Sequence, residues 1–141
     1  MRYWLAAILT LATLPAGAHH PVSRYYDNSK TVSMTGAVVE VRWENPHAYI
    51  VLAPEGRETE RWAFEMLPPR TLQRAGVNEQ TILPGMRVSV SGWPARDAAA
   101  RAVSAHRITF ANGSSIAVGS TGADTWHCDG ECQYQYPGQS R

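Results

Sequence analysis

The chain lacks the short motifs by which most enzymes announce themselves. It has no G-x-S-x-G elbow, no H-E-x-x-H helix, no phosphate-binding P-loop and no G-x-G-x-x-G dinucleotide turn. No serine stands in a recognisable nucleophile setting, and the carboxylates are scattered rather than paired. Those absences remove the familiar hydrolase, nucleotide and dinucleotide classes. Charge of one sign is missing too: 13 Lys and Arg face 12 Asp and Glu, so no basic excess points to nucleic acid. Lysine is almost absent, with Lys30 the only one, a bias in keeping with a GC-rich genome. Long apolar runs are missing beyond Tyr3–Leu14, which at 12 residues is too short for a membrane span of roughly 20.

That one run has a different meaning. Arg2 precedes it, Pro15 follows it, and Ala16-Gly17-Ala18 then supplies a small-x-small cleavage site. This is the layout of a secretory signal peptide over residues 1–18. A cut after Ala18 starts the mature chain at His19-His20-Pro21; a cut after Ala16 leaves Gly17 first. Starting from His19, 123 residues remain, enough for one small domain, with 12 basic against 12 acidic side chains because only Arg2 is lost. The expected location is the bacterial periplasm or the exterior, with no transmembrane segment after processing.

The body reads as strands. Thr31–Trp43 is rich in Val and Thr, but its apolar parity switches from Val32, Met34 and Val38 to Val39, Val41 and Trp43. A switch next to Gly36 predicts a bulge or strong coiling of one long first strand. Asn45-Pro46 marks a turn, and His47–Ala53 a second strand. Arg61–Met66 is a third strand, with Trp62, Phe64 and Met66 on the inner face and Glu65 outward, within reach of Arg61 or Arg42. Pro68-Pro69 opens a two-turn helix over Arg70–Ala75, stopped by Gly76. Met86–Ser91 alternates as a fourth strand, and Val103–Phe110 is a fifth. Asn112-Gly113 is a hairpin turn that brings Ser114–Val118 back. Three strands, a helix and two strands, with a long coiled first strand, is the order of a small five-stranded barrel of the OB type; a β-sandwich is the main alternative. The domain is expected to occupy residues 19–118, followed by a flexible tail, 119–141, that carries both cysteines.

Several spaced elements also resemble a known family. They are Ala18-His19-His20, Tyr25-Tyr26-Asp27 with Lys30, Thr35-Gly36-x-Val38, and Trp43-x-Asn45-Pro46-His47. Further along come Trp62-x-Phe64-Glu65, Leu72-x-Arg74-x-Gly76, Pro84-Gly85 and Gly92-x-Pro94-Ala95-Arg96-Asp97. Together these resemble a family of small exported bacterial proteins known only as a domain of unknown function. The likeness runs from about His19 to Val118, and its most specific piece is Trp-x-Asn-Pro-His. Members often carry Lys at the place of Arg96 and Gly after Asp97, where this chain has Ala98. The resemblance implies an exported small β-barrel and supplies no activity.

The chemistry-bearing residues are mostly histidines. A terminal His19 offers its amine and its own Nδ1 as a chelate, and a further imidazole, His20 or His47, would complete a nitrogen-rich set suited to copper(II). After the alternative cut, Gly17-Ala18-His19 is itself an amino-terminal copper or nickel motif. The plainer reading makes these histidines ordinary residues at a flexible start. His47 follows Asn45-Pro46, where a fixed backbone and an Asn-capped turn would hold its imidazole still, either as a ligand or to tie the turn to the barrel. His106 shares parity with Ile108 and Phe110 and reads as a partly buried structural histidine. Trp43 and Trp93, at strand ends, together with Asn45 are the candidates for a ligand-binding face, against a default of rim packing. Cys128 and Cys132 would form a disulfide after export, closing a short loop of small entropic effect. The alternatives are a thiolate metal site with His127, or free thiols.

The reading that emerges is an exported binding module rather than an enzyme, with copper as its candidate cofactor and copper redox the one catalytic route left open. A structural adaptor for a periplasmic protein partner, or a small-ligand carrier, is the rival. Mass spectrometry of the exported protein should find a first residue of His19. A retained leader, or a start beyond His20, would remove the basis for a terminal metal site.

Overall fold

The computed structural model describes residues 22–119 and the backbone of two further short strands near the C-terminus. Residues 1–21, with the expected signal peptide, His19 and His20, and most of the segment after residue 119 lie outside the described residues. The main elements are β1 (Val32–Arg42), β2 (Tyr49–Pro54), β3 (Trp62–Glu65), α1 (Pro69–Arg74), β4 (Arg87–Pro94), β5 (Ala102–Phe110) and β6 (Ser115–Ala117).

The first strand dictates the architecture. Its N-terminal half pairs antiparallel with β4, from Val32 opposite Gly92 to Ala37 opposite Arg87. Its C-terminal half pairs antiparallel with β2, from Gly36 opposite Pro54 to Arg42 opposite Tyr49. Between Val38 and Glu40 the β2 register slips by one residue, so Val39 is the bulged residue. The parity switch in the sequence is this bulge. Val39 itself is 41% exposed, so the inward set resumes at Val41 and not at Val39 as the parity had implied. Gly36 sits where the strand passes from one partner to the other: a Cβ there would lie 2.3 Å from the Ala53 carbonyl oxygen. A second bulge lies in the β4–β5 pairing, where Ser91 stands opposite Arg107 and Gly92 opposite Ala105, so that His106 on β5 is the extra residue; a Cβ at Gly92 would fall 2.0 Å from the Ser104 carbonyl oxygen.

Two bends allow the sheet to close. β2 and β3 form an antiparallel hairpin, and β3 then pairs parallel with β5, Phe64 standing opposite Val103. The order around the barrel is β1-β2-β3-β5-β4 and back to β1, the OB-type closure expected from the element order; it is not a sandwich. A parallel contact needs a crossover, which α1 and the following loop provide. Proline opens α1, and Gly76, with φ +82°, ends it. The third strand is therefore short, and β4 runs on to Pro94, three residues past the expected end. The second strand starts at Tyr49, which leaves His47 in the turn that leads into it. Beyond β5, Asn112 caps the hairpin turn, accepting from the Ser114 N–H at 3.0 Å and its hydroxyl at 2.7 Å, and β6 pairs back onto β5.

The core lies inside this barrel. Val38, Ile50, Leu52, Phe64, Val88, Val90, Val103 and Ile108 fill it, joined by Leu72 from α1 and by Val77 and Ile82 from the loop that follows. Trp62 was expected among them and is only half-buried. It lies at the start of β3, where its indole N–H donates to a Glu60 carboxylate oxygen at 2.9 Å and the Arg57 guanidinium sits 6.0 Å from the ring centroid. An amphipathic ring at a strand end gains more from keeping its N–H on a solvated carboxylate than from burial. No helix among the described residues is long and apolar enough to cross a membrane. In the tail, Trp126–Cys128 (β7) and Cys132–Tyr134 (β8) pair antiparallel with Cys128 opposite Cys132, while the cysteine side chains lie outside the described residues, as does the side chain of His127.

Phe64, fully buried at the barrel centre, should be the costly truncation. Phe64→Ala is expected to lose about 3–5 kcal/mol in denaturant unfolding, and Trp62→Ala clearly less. Equal losses would mean that Trp62 belongs to the core after all.

Candidate functional site

At one edge of the barrel a groove of about 650 Å³ opens between four pieces of chain. Val22, Tyr25 and Tyr26 come from the segment before β1, and Pro46 and His47 from the turn before β2. Glu65 and Pro68 follow from the end of β3, and Ala95, Asp97, Ala100 and Ala102 from the β4–β5 connection. The lining is mainly aromatic, proline and alanine, with three polar side chains set into it.

The N-terminal segment is held there by its backbone. A 3-10 turn at Val22–Arg24 brings the N–H groups of Tyr25 and Tyr26 onto the Val22 carbonyl, each at 3.0 Å. Tyr26 bridges to Ala95 as a strand residue would, extending the end of β4. Asp27 N–H donates to Pro94 O at 2.8 Å, Arg96 N–H to Tyr25 O at 2.9 Å, and the Arg96 Nε–H to Ser23 O at 2.9 Å. Asp27 then organises the next turn, accepting from the Ser29 hydroxyl at 2.6 Å and pairing with Lys30 at 3.0 Å. The Ser29 and Lys30 bonds hold its carboxyl down at about 2.

The centre of the groove is Glu65. The β2–β3 register sets it opposite Tyr49, and its carboxylate accepts from the Tyr26 hydroxyl at 2.5 Å and contacts Nδ1 of His47. The His47 and Glu65 side chains are 39% and 20% exposed, so both remain reachable from the groove. Among the described residues no lysine or arginine pairs with Glu65. The expected surface pair with Arg42 or Arg61 does not form. Arg42 binds Glu40 at 2.7 and 3.0 Å, and Arg61 turns back to the carbonyls of Glu58 and Glu60. Burial, and then the bond to the Glu65 carboxylate, push the Tyr26 phenol well above its ordinary range. Tyr49 is raised as well, by burial first and then by the Glu65 charge.

The sequence candidates thus divide. His47 is in the groove, fixed by the Asn45–Pro46 turn, whose peptide is cis. Asn45 is exposed, and Trp43 packs half-buried against the core with an indole N–H that finds no acceptor among the described residues; neither lines the groove. Trp93 also stands outside it, its ring edge-on to His106 at 4.3 Å and 87°. His106 is buried, more fully than the partly buried place its parity implied, as the extra residue of the β4–β5 bulge. His19 and His20 lie outside the described residues, but His20 is only two residues before Val22.

The tyrosine pair before β1 could be read from the sequence as an anchor of the N-terminal segment to the barrel, and Tyr26 does this; Glu65, its partner, is the functional candidate that sequence reasoning missed. Strand alternation placed Glu65 outward, correctly, but nothing in the sequence told that it would be the group on which Tyr26 and His47 meet. The signal available was local: a tyrosine pair ahead of the first strand, with Asp27 and Lys30 forming a turn just behind it.

Chemically, the groove offers one imidazole whose Nδ1 faces a carboxylate. No group of three His, Cys, Asp or Glu side chains able to hold a metal occurs among the described residues, so any metal here would need ligands from elsewhere in the chain.

Residues 7–104 match the model of a family of unknown function (DUF6152), and the chain belongs to that family. The match covers every residue that lines the groove, as well as the His19-His20 pair. A comparison with curated proteins finds no match.

The raised Tyr26 phenol has a consequence for stability. Above pH 10 an unfolded tyrosine loses its proton while the folded Tyr26 keeps it, so the unfolded chain binds fewer protons and stability falls as pH rises. Thermal melts between pH 8 and 11 should show that decline, and Tyr26→Phe should make it shallower. An unchanged slope in Tyr26→Phe would show that Tyr26 is not the residue responsible.

Proposed function

We propose that this member of the DUF6152 family is an exported, periplasmic binding module whose working site is the His47 groove, and that the site binds copper(II) together with the mature N-terminus. The expected ligands are the amine and imidazole of His19, with His47 or His20 as the further nitrogen. One observation carries the reading: Val22 and His47 line the same groove, and a chain beginning at His19 starts three residues before Val22 in sequence. The donor set is chemically apt. Imidazole and amine nitrogens suit copper(II), and a histidine that hands its other ring nitrogen to a carboxylate is the usual arrangement around a metal-ligating imidazole. The module acts by binding, without catalysis of its own.

A second reading has its own support. The groove is large for a lone ion, and Tyr25 and Val22, 54% and 45% exposed, give it an apolar lip. Those features favour a carrier for a small organic ligand, or an adaptor that docks a periplasmic protein at this edge.

Copper titration of correctly processed protein separates the two. Adding one residue before His19 displaces the amine chelate and should weaken binding strongly; His47→Ala should weaken it as well. Affinity should fall as the pH drops, because a protonated imidazole cannot ligate. If processed protein binds copper(II) no better than the extended variant, the copper reading is wrong and the carrier or adaptor reading takes its place.

A further inference from the structure

Glu65 meets two donors at once, and they come from separate parts of the chain. Its Oε2 accepts a hydrogen bond from the Tyr26 hydroxyl at 2.5 Å, and its Oε1 meets Nδ1 of His47. An ionised carboxylate has lone pairs and no proton to give, so the proton of this contact belongs to Nδ1. In the neutral ring, Nε2 of His47 then carries the free lone pair. Imidazole is a ligand only through an unprotonated nitrogen, so the carboxylate decides which nitrogen is offered to the groove.

The Tyr26 bond ties a second event to the same group. Tyr26 belongs to the segment that brings Val22 to the groove, and through Val22 it leads to His20 and His19. Its backbone is fixed on Ala95, and its hydroxyl ends on the carboxylate that orients His47. With no lysine or arginine on Glu65 among the described residues, these two donors are what hold its carboxylate in place.

We infer that Glu65 and Tyr26 are positioning residues for the His47 site. Glu65 selects the His47 tautomer that leaves Nε2 unprotonated, and Tyr26 aligns Glu65 while docking the N-terminal segment beside it. The metal-binding arm of this inference rests on the copper reading; the tautomer arm does not.

The substitution Glu65→Gln is nearly isosteric and reverses the proton logic. Its carbonyl oxygen still accepts from Tyr26, but its amide donates to Nδ1, which moves the imidazole proton to Nε2. In metal-free protein, long-range 1H–15N spectra should therefore show His47 protonated at Nδ1 in the wild type and at Nε2 in Glu65→Gln. Copper(II) affinity should drop about 10- to 100-fold in Glu65→Gln, with loss of one imidazole nitrogen from the copper EPR spectrum. Tyr26→Phe should keep the Nδ1–H tautomer, speed amide exchange at Tyr25–Asp27 and lower copper affinity less. It also serves as the test should Glu65→Gln fold poorly by thermal melt.

A wild-type His47 protonated at Nε2 would overturn the inference. So would a folded Glu65→Gln that keeps the Nδ1–H tautomer, or that binds copper like the wild type. Unaltered exchange and unaltered affinity in Tyr26→Phe would remove Tyr26 from it. A wild type that shows the Nδ1–H tautomer but binds no copper would sink the copper reading and leave the positioning of His47 by Glu65 standing.

Discussion

A strand of 11 residues cannot pair with two neighbours on opposite sides of a small barrel without bending, and β1 must do that for the barrel to close. Gly36 and the Val39 bulge supply the bend: one removes a Cβ that would strike the Ala53 carbonyl oxygen, the other takes up the extra residue. Everything downstream depends on it. Once β1 crosses from β4 to β2, the β2–β3 hairpin swings round to meet β5 in parallel. The inward residues of five strands then form one core, at a size where burying a large fraction of the chain's surface is difficult. A residue with a Cβ at position 36 would force β1 and β2 apart at the corner, and the loss would be shared by the whole barrel rather than confined to one contact.

The same closure makes the groove. Because β3 ends beside β5, Glu65 emerges next to the β4–β5 connection, while the Asn45–Pro46 turn carries His47 to the same edge. The segment before β1 adds to the end of β4 through the Tyr26–Ala95 bridge and covers the remaining side. The site is thus assembled from the places where strands end, which is where a closed barrel leaves backbone and side chains unconstrained by its own ladder. A carboxylate in that position would ordinarily find an arginine. Here the nearby arginines are held by other partners, Arg42 by Glu40 and Arg96 by the Ser23 carbonyl, and Glu65 is left to a phenol and an imidazole.

Most of the fold was legible in the sequence because it rests on local rules. Parity along β1 gave the bulge to within one residue, Pro68-Pro69 and Gly76 bracketed the helix, and Asn112-Gly113 marked the last hairpin. Where the reading slipped, position in the barrel outweighed pattern. Trp62 alternates correctly with Phe64 but sits at a strand end, and Val39 is apolar yet is the residue a bulge pushes out. The site was less legible. His47 stood out because a turn signal precedes it, whereas the Tyr26–Glu65 bond joins residues 39 apart in sequence, and no periodicity encodes it. Trp43 and Trp93 are ligand candidates in the sequence as aromatic residues at strand ends; one packs on the core and the other sits edge-on to His106.

What distinguishes this groove from an ordinary surface cleft is that one carboxylate serves two purposes. Tying the N-terminal segment to the barrel needs a strong acceptor for Tyr26, and a charged oxygen bonded to a phenol is stronger than a neutral pair. Orienting His47 also needs an acceptor, and it must be one with no proton of its own. A single half-buried Glu65 meets both needs, so the docking of the chain start and the presentation of the imidazole are not independent. A ligand that drew on the Val22–Asp27 segment and on His47 together would meet two elements already joined by a shared group, so part of the ordering cost of bringing them together would be met in folding.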